Sequence, residues 1–477
     1  MMMRKRFQLV GRLLLAAALL PVLGYAQSVR TTYFMDSAPY RLQLNPALAP
    51  DRGYVNLPGI GGTSAGYYSN TMGIGDAIDI IDNAEDADYF TTDKFYGKLT
   101  AMNRMSVDAG VDLLSVGWWH GNGFMSLNIS AKADGNLGVP LAMFDFLRDM
   151  KGINANDYGN YVRTIADGKL ALNAYTEVGL GYAHVINERL TLGARLKGLL
   201  GVGNVSLKLK RADIVTHLEG IDPNMDWSHA DPIELLRATG TASVDVDAEL
   251  ESSMMGLKYE VGDNGYIDDI DLNANKMGVT GMGAAVDLGV DYRVNDAVSL
   301  SAAINDLGFI SWSGDHTVRA HANTDDLHYD SSNPGDLLRF ADVVSTGEVL
   351  NLDMMRLHID QQKSKSRTTK LSSVLALGAQ YRLANNKLGL GLLFTQRFAQ
   401  LIGNGSELTM AVNYHPRSLV DLAVSYSPIR CGGSSFGLAV KLGPLMLGTD
   451  YMYLGKGTKC CNALVGLSIP LGKRSQD

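Results

Sequence analysis

The sequence predicts an all-β transmembrane antiparallel up-and-down β-barrel of about 14 strands, with a short N-terminal plug-like segment and long extracellular loops. Three observations point there. Apolar and polar residues alternate with a period of two over runs of ten to seventeen residues, connections alternate between very short and very long, and the opening residues read as an export signal. Composition narrows the choice, because 46% of the 477 residues are hydrophobic and only 19% charged, against about 25% charged in an average soluble domain. A helical bundle is excluded: a membrane-spanning helix needs about 18 apolar residues, and the longest run, Leu13 to Gly24, has twelve.

Arg4, Lys5, Arg6 and Arg12 precede the apolar stretch Leu13 to Leu20, and Gly24-Tyr25-Ala26 supplies the small residues of a cleavage site. Residues 1–26 therefore read as a signal peptide, with the mature chain starting near Gln27. A plug-like segment over 27–53 follows, in which Asn45 and Pro46 occupy the cap and first position of an expected short helix. The barrel is expected over 54–472 and a tail over 473–477.

Within the barrel the pattern places strands near 54–70, 106–119, 123–133, 169–185, 189–203, 277–293, 297–310, 367–382, 387–399, 405–415, 418–428, 434–442, 445–454 and 461–471. Many exceed the five or six residues usual in globular strands and match the 9 to 11 that cross a bilayer at a tilt. One face of 170–183 carries Leu170, Leu172, Val178, Leu180 and Tyr182, the other Asn173, Glu177, Gly179 and Gly181. In a barrel the apolar face meets lipid and the polar face lines the lumen. Tight turns at 120–122, 187–189, 295–297, 384–386, 416–417 and 443–444 alternate with longer segments, the longest about 134–168, 212–276 and 311–366. Even strand number puts both barrel ends on the periplasmic side. Residues 241–251 also alternate and are expected to extend above the membrane. Trp118, Trp119, Tyr381, Tyr414, Tyr426, Tyr451 and Tyr453 suit interfacial girdles.

The inward face is expected to carry Asn128, Ser130, Lys132, Glu177, Arg195, Lys197, Asp287, Asp291, Arg293, Arg397, Glu407, Lys441 and Asp450. Charges of both signs there either pair across the lumen and hold an inward-folded segment, such as the one containing Asn45 and Pro46, or line a solute path. Gly and Ala on the same face leave room for water, a plug or a ligand. Between Asp76 and Asp93 lie seven acids without Lys or Arg, and between Asp245 and Asp271 nine acids against Lys258 alone, which read as solvated loops. Pro140 to Met150 has helical spacing inside a loop, the expected position of a helix packed on its own barrel.

No catalytic motif is present, so no enzyme is expected, and no cofactor or metal. His316, His321 and His328 are wrongly spaced for a ligand set. Asp269, Asp271, Asn273 and Asn275 begin like a calcium loop, but Ala274 replaces the required Gly and Thr280 the bidentate Glu. Cys431 and the Cys460, Cys461 pair fall in loops of one rim, so Cys431 pairs with Cys460 or Cys461, or all three remain thiols. The net charge of -8 gives no reason to expect nucleic acid.

Tyr33-Phe34-Met35, Tyr40 to Ala47, and Pro50-Asp51-Arg52-Gly53-Tyr54 resemble the start of a Gram-negative outer-membrane barrel family of unknown function. Leu300-Ser301-Ala302-Ala303-Ile304-Asn305-Asp306-Leu307-Gly308-Phe309-Ile310-Ser311-Trp312 is similar to a strand-to-loop phrase of that family. More distantly, Asn45-Pro46-Ala47 and the strand number are similar to the long-chain fatty-acid transporter barrels and the shuttle barrel of the type nine secretion system. That resemblance implies a conduit for a hydrophobic or amphipathic solute, or a docking barrel for surface-protein assembly or secretion. The expected location is the outer membrane, and the expected partners are its lipid, the barrel-assembly machinery, and a hydrophobic small molecule or surface proteins.

Overall fold

The computed structural model describes residues 29–83, 86, 88–150, 158–220, 239–262, 265–333, 336, 355–361, 364–383, 387–398, 405–417, 419–429, 434–452 and 454–473. The expected signal peptide, Cys431, Tyr453 and the last four residues of the expected tail lie outside them.

Fourteen antiparallel strands close on themselves: β1 (Arg52–Asn56 and Thr63–Ser69), β2 (Met102–His120), β3 (Gly123–Pro140), β4 (Val162–Val185), β5 (Leu190–Glu219), β6 (Gly281–Arg293), β7 (Val298–Trp312), β8 (Arg367–Lys370 and Ser373–Leu383), β9 (Leu388–Phe398), β10 (Gly405–Arg417), β11 (Val420–Ile429), β12 (Ser435–Leu442), β13 (Leu445–Thr449) and β14 (Cys460–Lys473). Each pairs with its sequence neighbours. Closure comes from β1, which pairs with β2 on one side and with β14 on the other, as in Val55 opposite Val116 and Ile469. The strand pattern and the shared end of the two termini of the barrel thus match the sequence expectation. β1 differs in being interrupted at 57–62, where Pro58 has no N–H to give a neighbour and Gly59 sits at φ +78. The ladder re-forms around the insertion, with Leu57 N–H donating to the Leu467 carbonyl and Gly59 N–H to that of Asp112, both at 3.0 Å.

Alternation decides which side of each strand faces out. Leu180, Leu196, Leu288, Leu300, Leu377, Val424 and Val465 are exposed on the outside, while Glu177, Asp287, Asp421, Ser425 and Asn462 on the opposite face are buried. Two aromatic rings border this belt. Trp118, Tyr182, Tyr292, Tyr381 and Tyr414 ring the short-turn end, and Phe309, Phe398, Tyr426 and Phe436 the long-loop end. On β6 the distance from Tyr292 to Ala284, the residue opposite Phe309, is eight residues, or about 20 Å at about 3.3 Å each and a tilt of about 40°. Trp119 and Tyr451 do not belong to the girdles as expected. Trp119 packs on Phe124 and donates from Nε1 to the Pro50 carbonyl, and Tyr451, 2% exposed, turns inward to Glu407.

Much of what reads as long loop is strand. β3, β4 and β5 run past the membrane level, and the upper half of β5 pairs with the strand Thr239–Met254, which pairs in turn with Thr317–Ala322 and His328–Asp330. Asp245, Asp247, Glu249 and Glu251 therefore stand on one face of a rim sheet rather than in a solvated loop, and Ala242, Val244, Ala248 and Leu250 fill the other. That apolar face packs with Ile165, Leu209, Ile214 and Tyr329 and with Phe146 of the helix Leu141–Met150, which forms where its spacing predicts it. His321 pairs with Asp360 and His328 with Asp245 across this sheet, so neither joins the other in a ligand set. In the first loop, burial would lift the Asp76 carboxyl, but the Lys98 ammonium and the Gly73 N–H more than offset this and hold it below the ordinary carboxylate range.

Candidate functional site

Residues 29–50 run inside the barrel. They pass from Arg52 at the short-turn end to Arg30, whose partners Thr395, Glu407 and Asp450 stand at the long-loop ends of their strands. The run has no repeating apolar period and folds as two 3-10 turns, Arg30–Thr32 and Pro39–Gln43. The helix expected to start at Asn45 does not form. Pro50 biases Ala49 away from helix, and one turn is all that fits between: Leu48 N–H donates to the Asn45 carbonyl at 3.0 Å, and Ala47 N–H to Asn45 Oδ1 at 2.9 Å.

Because a non-repeating segment cannot satisfy its own backbone, the wall does so. Arg195 Nη2 donates to the Leu42 carbonyl (2.8 Å) and Asn305 Nδ2 to that of Leu44 (2.7 Å). Asp450 accepts the backbone N–H groups of Arg30 (2.9 Å) and Thr31 (2.8 Å) and lies 3.7 Å from the Arg30 guanidinium, which also pairs with Glu407 at 3.3 Å. Asn45, fully buried, reaches the Val290 and Ala302 carbonyls, and Ser37 donates to Asp421. Small wall residues make room for the bulky ones: a Cβ on Gly391 would enter the Phe34 ring, and one on Gly466 would meet the Tyr40 hydroxyl.

Beside this segment lies a buried ionic network on the inner face of β3 to β7. Lys132 pairs with Glu177 (2.7 Å), Lys197 with Asp287 (2.8 Å), Asp306 (2.7 Å) and Glu177 (3.6 Å), and Arg195 with Asp287 (3.5 Å). Three cations meet three carboxylates, the balance a low-dielectric interior demands. Asp306 has no place in the period-two pattern. A bulge opposite Val286 and Leu288 puts it at φ 58, so that Asn305 and Asp306 both face inward and Leu307 returns to the outside.

Between segment, network and long-loop rim remains a cavity of about 140 Å³, room for about ten waters. Lys132, Lys197, Asp306, Asp134 and Arg397 line part of it, and Leu44, Leu371, Val374 and Ala376 another part.

Of the residues expected at the lumen or plug, the structure brings Asn45, Pro46, Glu177, Arg195, Asp287 and Asp450 to the contacts between segment, network and wall. Arg397 faces the cavity, Lys441 is buried opposite Asp421 in the β11–β12 register, and Asp291 is half-buried on β6. Arg293 is not part of it: it is exposed at the end of β6 beside the tight turn, where alternation no longer dictates an inward direction. Arg30, Thr31, Asp36 and Arg41 belong to the segment's anchoring and carry no periodic signal by which sequence could place them. Cys460 and Cys461 open β14 on the rim side, and the proposed pairing with Cys431 lies outside the described residues.

Among curated proteins none matches this chain in sequence. Solved structures similar to it include a deletion mutant of the TodX monoaromatic hydrocarbon channel (9% identity, 92% of this chain and 95% of that one, TM-score 0.41). Two others are the toluene transporter TbuX of Ralstonia pickettii (10%, 92% and 95%, TM-score 0.32) and a Pseudomonas aeruginosa FadL homologue (10%, 91% and 91%, TM-score 0.35). Likeness at these scores carries no inference about a solute. The family model is another matter, since it matches residues 46–450, from the Asn45 turn to the Asp450 anchor, and on that match the chain belongs to the Family of unknown function (DUF5723).

Proposed function

We propose that the protein is an outer-membrane barrel that binds and conducts a small amphipathic solute, with residues 29–50 as its plug. The exposed aliphatic belt between two aromatic rings supports the location. The observation that carries the role is a cavity lined both by charges and by Leu44, Leu371, Val374 and Ala376, bordered by a segment tied through side chains rather than built into the sheet. Such a segment can leave without breaking a single barrel ladder.

Liposome flux of small solutes through the full-length mature protein and through a variant lacking residues 27–50 tests this. The expected result is little leak with the segment present and at least a tenfold increase without it, both proteins showing heat-modifiable gel migration. Phe34→Ala with Tyr40→Ala serves as the second opened form. No flux through any assembled form removes the conduit and favours docking of surface proteins, for which the exposed face of the rim sheet around Asp245 to Glu251 is the available surface.

A further inference from the structure

The cations around the cavity are not equivalent. Arg30 is committed to Glu407 and Asp450, Lys132 to Glu177, Arg195 to Asp287 and the Leu42 carbonyl, and Lys197 to Asp287 and Asp306. Arg397 is the exception. Its Nε has no hydrogen-bond partner, and among the described residues no carboxylate lies within ion-pair distance of its guanidinium. A planar fork of donors left open toward a cavity is suited to a carboxylate, which it grips at two points.

The opposite charge is present at a distance. Asp134 lines the same cavity and lies within electrostatic reach of Arg397 without touching it. Its register partner on β2 is Asp108, also facing the cavity, and one oxygen of Asp134 accepts from Asn136 Nδ2 at 3.3 Å. Two carboxylates directly across a strand pair make this end of the cavity acidic. Leu371, Val374 and Ala376 add an apolar wall.

From the gap between Arg397 and Asp134 we infer that the cavity binds a zwitterion of amino-acid size: its carboxylate on Arg397, its ammonium toward Asp134, its aliphatic side chain on Leu371, Val374 and Ala376. Room for about ten waters is room for a solute of about ten non-hydrogen atoms. This rests on the reading of the barrel as a solute conduit and names its solute class.

Isothermal titration of the full mature protein in detergent with L-leucine, 4-methylpentanoate and isoamylamine separates the three contributions, since the second lacks the ammonium and the third the carboxylate. Leucine is expected to bind at least tenfold more tightly than either analogue. Arg397→Gln should weaken leucine at least tenfold and leave isoamylamine unchanged, and Asp134→Asn should weaken leucine and isoamylamine but not 4-methylpentanoate. Leucine binding no better than both analogues, or unaffected by Arg397→Gln, overturns the inference. If Arg397→Gln does not assemble, the Asp134→Asn series decides in the same way. Flux through the plug-deleted barrel is read separately: leucine failing to bind while flux persists removes only the zwitterion, and absence of flux removes the conduit.

Discussion

Asp287 shows how one side chain can carry the balance of a whole network. It is completely buried, contacts Arg195 and Lys197, and accepts the Asp306 N–H at 2.7 Å. Asp287→Ala leaves three cations facing two carboxylates, and removing one partner of a buried pair costs about 3–5 kcal/mol. Lys197→Met added to it restores two against two, and more than half the loss should return. Urea unfolding of the vesicle-inserted barrel, followed by tryptophan fluorescence, measures both. Individual residues of this kind were legible where the period of two held: Glu177, Arg195 and Asp287 could be placed inward because their neighbours Val178, Leu196 and Leu288 belong outside. Arg30 and Thr31 could not, since what fixes them is Asp450, more than four hundred residues away in sequence.

At the level of the element, strands were readable and interruptions were not. A bulge adds one residue without changing composition, so the phrase Asn305-Asp306-Leu307 looks like a break in alternation until the partner strand is known. Deleting Asp306 tests its meaning. Without the extra residue Asn305 is followed directly by Leu307, so Asn305 still faces the lumen, Leu307 and Phe309 still face lipid, and the assembled fraction in outer-membrane preparations should stay within about twofold of the parent's. Asp306→Gly keeps the positive φ at no steric cost and loses the contact to Lys197, so it should assemble and lose about 1.5–3 kcal/mol. The extension at 241–251 is legible through the alternation of Ala242, Val244 and Ala248, while its acidic face reads as a solvated loop for a related reason. Above the membrane both faces of a strand meet new neighbours, and the acidic face of Thr239–Met254 has the composition of a solvated loop while its hidden face holds Ala242, Val244 and Leu250.

For the molecule as a whole, the orientation of the greasy faces was decidable because a sandwich has no use for strict alternation of short and long connections, whereas a barrel with one end toward the periplasm does. Energetics make the same distinction measurable. Leu196, 67% exposed, stands six residues above the tight turn and thus near the middle of the aliphatic belt, while Tyr292 stands at its border. In hydrocarbon, Arg costs about 2–4 kcal/mol at the midplane and about 0–1 near the interface. Leu196→Arg should therefore lower the folded fraction in lipid vesicles by at least tenfold near the unfolding midpoint, and Tyr292→Arg by less than about fivefold, read by heat-modifiable migration. In detergent, which adapts to the charge, the two variants should differ little. A surface Leu on a water-soluble protein behaves in the opposite way, since Arg there is harmless in water whatever its position along the strand. A depth-dependent penalty that appears in lipid and fades in detergent is thus a signature of the belt itself.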